Sequence, residues 1–369
     1  MFLVTATSHI SWLALVATAV VPLTAALPPP DTTKDLSTAT SLLTDLRVRG
    51  SVHGRWITDL RKIPAGPRQE HSVAAVGLEV IVLGGITPPA SPTATEIPSL
   101  ALIEAYAPLT DSWRRIADLP TPMNHANIAT AQGKLYVLGG LTGTGVMEPT
   151  GNCFRYDAWL DRWETISPMP GDAKRGAAAV AVWKNNVVVA GGLTYLNPFQ
   201  GVQNTTSKVS AYDTVMRKWS SLPDLPDSGR DHAGGAVWKD TFYVIGGRVS
   251  GRNNVKPDVF ALDLRNPQDG WKRRASMPTA RGGFSLANVH DKFYAFGGEG
   301  DKATVNPPTG LYHNVEVYDP VKDKWEVLEP MPVPRHGTGA AVVLGKVYIP
   351  GGANVAGSGA TDTMQSFTP

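Results

Sequence analysis

The stretch LYVLGG at residues 135–140 is an apolar run that stops on two glycines, and the chain repeats it. VIVLGG ends at Gly85, VVVAGG at Gly192, FYVIGG at Gly247, FYAFGG at Gly298 and VYIPGG at Gly352. Successive copies recur at a nearly even spacing, and a fixed period of about 50 residues marks a repeat architecture. The runs are rich in β-branched and aromatic residues, which suit a pleated, half-buried strand. The paired glycines allow positive φ and close backbone approach where each strand ends.

Further landmarks keep the same beat. After each glycine pair comes a short strand ending at Tyr106, Tyr156, Tyr212, Leu262, Tyr318 or Phe367. A tryptophan follows five of them, at 113, 163, 219, 271 and 325. Small-residue runs such as HSVAAV supply one more strand before each glycine pair. Each repeat therefore reads as four strands. A lone four-stranded sheet leaves both faces bare, and radial packing of several sheets covers them. This pattern resembles the kelch repeat from about residue 51 to the end. The resemblance implies an all-β, six-bladed propeller. It also implies structural roles for Glu104 and Glu316, two positions before the strand tyrosine. Trp56 precedes Gly84 by the same interval that separates Trp163 from Gly191. It fits the fourth strand of a blade whose other three strands lie near residues 337–367, so the N-terminal strand closes the ring.

The chain before residue 51 reads differently. ISWLALVATAVV at 10–21 is apolar, and small residues at Thr24 and Ala26 suit a signal peptidase. Residues 1–26 are expected to be a cleaved secretory signal. Residues 27–50, rich in Pro, Thr and Ser, are expected to be a linker, and 51–369 the propeller. No Lys or Arg precedes Lys34, which departs from the usual positive start. The expected location is outside the cell or in the secretory lumen, as a monomer with no stable membrane association after cleavage. Net charge is +2 without a basic block, which argues against nucleic acid as partner. The single cysteine, Cys153, reads as buried structure. Asn204-Thr205-Thr206 is a glycosylation sequon.

The connections between second and third strands are long, and those on the opposite face are short. Long loops on one face of a rigid scaffold usually carry function. Arg68, Arg175, Arg230, Arg281 and Arg335 each precede the next glycine pair by one and the same interval. Asn124 takes the matching place in the remaining repeat, which is one position shorter here. Five guanidiniums round one mouth would make a multidentate donor ring for a carboxylate, a phosphate or a carbonyl-bearing ligand. The alternative is structural pairing with nearby carboxylates. His71, His125, His232 and His336 fall in the same turns. Their registers differ, so no metal and no cofactor is expected. His232 and His336 are the acid–base candidates. Tyr195, Phe199 and Tyr312 in the long loops are candidate apolar walls.

Three functions fit this reading. The first is a secreted propeller binding a small molecule or a protein loop on the long-loop face. No partner module of the adaptor type is visible. The second is a cofactor-independent cyclase or isomerase of fungal secondary metabolism. The third is a copper radical oxidase. It is disfavoured, because Tyr312-His313 lies in a second-to-third strand loop, whereas such enzymes carry their Tyr-His pair in the Arg-column turns.

Overall fold

The computed structural model describes residues 54–369 apart from Pro92. The proposed signal and linker lie outside the described residues. Six four-stranded antiparallel sheets form the blades of the propeller. Blade 1 runs Ser72–Val76, Glu79–Leu83, Ile103–Ala107 and Ser112–Arg115, and blades 2 to 5 repeat that order along the chain. Blade 6 takes Ala341–Val343, Lys346–Pro350 and Met364–Thr368 from the C-terminus and Arg55–Leu60 from the N-terminal side. Trp56 pairs with Phe367, so the closure read from tryptophan spacing holds. Among the described residues no helix is long and apolar enough to cross a membrane.

Each blade interface has its own apolar cluster. Leu83 and Ile103 of blade 1 meet Leu135, Val137 and Phe154 of blade 2. Round the ring, Tyr348 and Met364 of blade 6 meet Val80 and Tyr106 of blade 1. The repeat tryptophans fasten neighbours together. The indole N–H of Trp113, Trp163, Trp219, Trp271 and Trp325 donates to a carbonyl of the preceding blade connection at 2.9–3.1 Å.

The glycine pairs are tight points of the scaffold. Gly191 has φ +64°, and a Cβ there would lie 2.2 Å from the Arg230 carbonyl oxygen of the next blade. Gly192 N–H donates to that same oxygen at 2.6 Å. Gly345 also has positive φ, but a Cβ there would meet nothing within 4 Å. Gly191→Ala is therefore expected to cost about 2–3 kcal/mol, from left-handed strain plus displaced backbone. Gly345→Ala carries the strain alone and costs about 1 kcal/mol. Urea midpoints of the two variants check this, and equal losses would refute it.

Two long loops are more ordered than their sequence implied. Leu193–Asn197 and Val202–Thr205 form a separate two-stranded hairpin, and the middle strands of blade 2 continue past their glycines as Lys134–Thr142 and Glu148–Asp157. Met147 and Leu196 exchange backbone hydrogen bonds across the two hairpins. Ile86, Leu141, Met147 and Leu193 bury one another beneath them.

Candidate axial site

The arginine column is buried within the blades. All five guanidiniums are at most 2 % exposed. Arg68 pairs with Glu104 at 2.7 Å, and Arg281 with Glu316 at 3.1 Å. Arg230 lies between Asp227 and Asp258. Arg175 donates to the Val189 carbonyl and Ser210 Oγ, and Arg335 to the Gly351 and Thr363 carbonyls. Each side chain thus closes the top of its own blade, and the expected open donor ring gives way to a structural one. The roles expected of Glu104 and Glu316 hold. Asn124 is not the sixth member: the Met123 carbonyl takes the Gly85 N–H, as the Arg230 carbonyl takes that of Gly192. Asn124 belongs one step further in.

That inner step is where the blades meet. Glu70, His125, Ala177, His232, Gly283 and Gly337 all stand at one common interval before a glycine pair. All six have positive φ, between 49° and 63°. Each N–H donates to the carbonyl of the preceding blade's member, and Glu70 donates to Gly337, closing a ring at 2.6–3.2 Å. Four of the six are not glycine. Left-handed backbone at non-glycine residues costs about 1 kcal/mol or more each and is held only where the surroundings enforce it. The ring aims a carboxylate and two imidazoles at one point on the axis. Sequence reading left Glu70 out of the site, and also missed Arg248 and Glu299. The signal was available: the ring position is fixed by counting from the glycine pairs, and Arg248 and Glu299 each directly follow one.

The cluster is dense with charge. His125 Nε2 is 3.0 Å from Glu70 Oε2, and His232 Nε2 is 3.6 Å from the same oxygen. Asp231 Oδ1 accepts from His232 Nδ1 at 2.6 Å and from Arg248 Nε at 2.8 Å. Arg248 Nη1 also donates to Glu299. Burial disfavours all these charges, yet His125 and His232 hold the Glu70 carboxyl well below the usual range. Arg248 and His232 likewise outweigh burial at Asp231, and His336 and Arg248 do so at Glu299. Burial and Arg248 push His232 down, but Asp231 and Glu70 leave it raised overall. At His125 burial prevails over Glu70, and its pKa falls.

Two cavities flank the ring, and Glu70 and His125 line both. The one on the long-loop side has a volume of about 400 Å³. Its floor is Glu70, His125, Arg248 and Glu299, and its walls include Ile86, Met147 and Leu196. The other, of about 210 Å³, continues down the channel between first strands, past Val73, Ile128, Val180 and Leu286.

The remaining candidates scatter. His71 is buried between blades 1 and 6 and bonds the Pro350 carbonyl at 3.0 Å. Burial and Arg68 push it down to about 3, so it is neutral. His336 faces the cluster with Nδ1 while Nε2 donates to the Val355 carbonyl. Strand alternation brings Leu196 rather than Tyr195 to the cavity. Phe199 is 46 % exposed. Cys153 is buried in blade 2, away from the Tyr312-His313 pair of blade 5, and burial pushes its thiol up to about 12. Asn204 is exposed on the hairpin.

Comparison with known proteins agrees with the fold. A family profile described as the KLHDC2/KLHL20/DRC7 Kelch-repeats domain matches residues 176–368, more than half of the chain. The chain belongs to the Kelch-repeat family. A second profile, the Kelch motif, matches residues 122–170 of this Kelch-repeat chain. The Kelch-like protein terF of Aspergillus terreus is 37 % identical over 306 residues, covering 82 % of this chain and 65 % of the relative. Kelch-like protein 36 of Bos taurus is 26 % identical over 70 % of this chain and 40 % of its own length. Beta-scruin of Limulus polyphemus is 26 % identical over 69 % of this chain and 27 % of its own length. The chain thus spans less than two thirds of these relatives' length.

Proposed function

We propose that this Kelch-repeat propeller binds a small organic molecule in the axial cavity of its long-loop face. One observation carries the reading: a cavity of about 400 Å³ combines apolar walls with a floor of converging, buried, charged groups. That combination suits a ligand with an apolar body and one polar end. The polar end rests on Glu70, His125, Arg248 and Glu299. The arginine column takes no part in recognition.

A second reading makes the protein an isomerase or cyclase acting on that ligand. It is favoured by the Asp231–His232–Glu70 chain, in which Asp231 fixes the imidazole orientation and Nε2 faces the site. His232 lines the smaller cavity rather than this one, so it acts on the ligand through Glu70, which lines both. Action in the secretory pathway stays part of the proposal, supported by the apolar stretch at 10–21 and the exposed sequon at Asn204.

The test is native mass spectrometry of the purified propeller after exposure to the small-molecule extract of its producing cells. Wild type is expected to retain a species of roughly 200–500 Da, as fits such a cavity. Leu196→Trp, which fills the cavity from the hairpin, is expected to lose it. Identical spectra for the two proteins would overturn the proposal.

A further inference from the structure

We propose that Glu70, His125 and His232 bind one divalent first-row transition-metal cation, such as Zn²⁺ or Fe²⁺, on the propeller axis. Three ring positions, on blades 1, 2 and 4, supply the ligand atoms, which all lie within 4.8 Å of one another. The Glu70 oxygen is 3.0 and 3.6 Å from the two imidazole nitrogens. A tetrahedral site with bonds of about 2.1 Å has ligand–ligand edges of about 3.4 Å. The site therefore closes on a cation with only small side-chain movement.

The outer hydrogen bonds select the ligating atoms. His125 Nδ1 donates to Asn124 Oδ1, and His232 Nδ1 donates to Asp231 Oδ1. Each imidazole, when neutral, then turns an Nε2 lone pair toward the Glu70 carboxylate. That contact is satisfied either by a proton on Nε2 or by one cation between the three groups. An imidazole held by a carboxylate or amide on its far nitrogen is the usual support of a metal ligand.

Charge counting agrees. Glu70, Asp231 and Glu299 bring three negative charges, and Arg248 brings one positive charge. A divalent cation on neutral imidazoles balances the cluster, as two imidazolium protons do in its absence. Arg248 Nη2 lies 3.3 Å from His232 Nε2, but Asp231 and Glu299 hold its guanidinium. A separate observation points to the same place. His336 is 0 % exposed, and its Nδ1 has no hydrogen-bond partner. That nitrogen lies 3.8 Å from Glu70 and 3.6 Å from Glu299. It is a buried polar atom aimed at the cluster and left unsatisfied by the protein. Three protein ligands leave a coordination position free, and Glu70 and His125 border both cavities. The proposal does not depend on the small-molecule reading, because metal binding is measured without any organic ligand.

The test uses the full chain, stripped with chelator and titrated calorimetrically with Zn²⁺, with metal analysis after desalting. One equivalent is expected to bind. Glu70→Gln, His125→Ala and His232→Ala are each expected to weaken binding by at least about 100-fold. Ala177 already occupies the ring, so alanine fits there. His290→Asn, at an exposed turn, is expected to change nothing. Cobalt loading of the wild type gives a readout independent of variant folding, with intense visible bands expected for low-coordinate nitrogen and oxygen ligation. Substoichiometric zinc, binding indifferent to all three substitutions, or a cobalt spectrum like that of the aqueous ion would each overturn the proposal.

Discussion

Deleting residues 54–60 is expected to unfold the whole propeller rather than fray one blade. Arg55–Leu60 is the outer strand of blade 6, and it pairs with Met364–Thr368 through four register positions. Trp56 packs on Phe367 at 5.0 Å and on Phe296 of blade 5 at 5.7 Å. It therefore belongs to the blade 5–blade 6 interface as well as to its own sheet. Trp56 is half-buried, so its loss alone costs somewhat less than the ~3–5 kcal/mol of a fully buried tryptophan. The deletion also bares the long edge of Met364–Thr368, a template for aggregation. A domain stable by about 5–15 kcal/mol does not survive both. Blade 6 also meets blade 1 through the Glu70–Gly337 hydrogen bond and the Tyr348–Val80 cluster, but among the described residues no other element replaces the outer strand of its sheet. The measurement is thermal unfolding by near-ultraviolet circular dichroism. Trp56→Ala should fold with a lowered midpoint, and the truncation should be insoluble or lack a cooperative transition. A soluble truncated protein melting within about 2 °C of wild type would refute the closure.

The fold was legible because its determinants are local and repeated. Gly191, Trp219 and Tyr212 have counterparts in other blades, and each copy meets the same packing problem. Repetition misled at the arginine column for the same reason. Five arginines recur because each blade has the same carbonyls to cap, and a demand met five times is a demand of the scaffold. A ligand site on a pseudo-sixfold axis has to break the repeat. The axial ring does so, reading Glu70, His125, Ala177, His232, Gly283 and Gly337 at one structural position. Asn124 was placed with the arginines because blade 2 carries Met123 where the others carry Arg. Counting back from Gly139 already gives Met123 the arginine interval, and the carbonyl pairing agrees. Arg248 and Glu299 were missed because the position after each glycine pair carries Ile86, Leu141, Leu193 and Ala353 in the other blades, so the repeat gives it no polar signature. Tyr195 was misread because its segment is a strand, in which alternation turns Leu196 inward instead.

Arg281→Met is expected to be the most damaging single substitution in the arginine column, at about 3–5 kcal/mol. Arg281 and Glu316 are both 0 % exposed and lie 3.1 Å apart. Removing the guanidinium strands a carboxylate where water cannot reach it, with only Thr279 Oγ1 left as donor. It also frees the Ala295 carbonyl, which Arg281 Nη2 caps at 3.2 Å. The penalty is mostly the uncompensated charge, so removing Glu316 as well should return much of it. Arg281→Met with Glu316→Leu is expected to be more stable than Arg281→Met alone, because a buried ion pair is often matched by apolar residues of similar volume. The coupling between the two sites should reach about 2–3 kcal/mol by a double-mutant cycle in urea. Arg115, paired with Asp118 on the surface, is the contrast: Arg115→Ala should leave the midpoint unchanged. Two additive single substitutions, with Arg281→Met as stable as wild type, would mean that the guanidinium is not committed to the scaffold. The arginine column would then return as a candidate for ligand recognition.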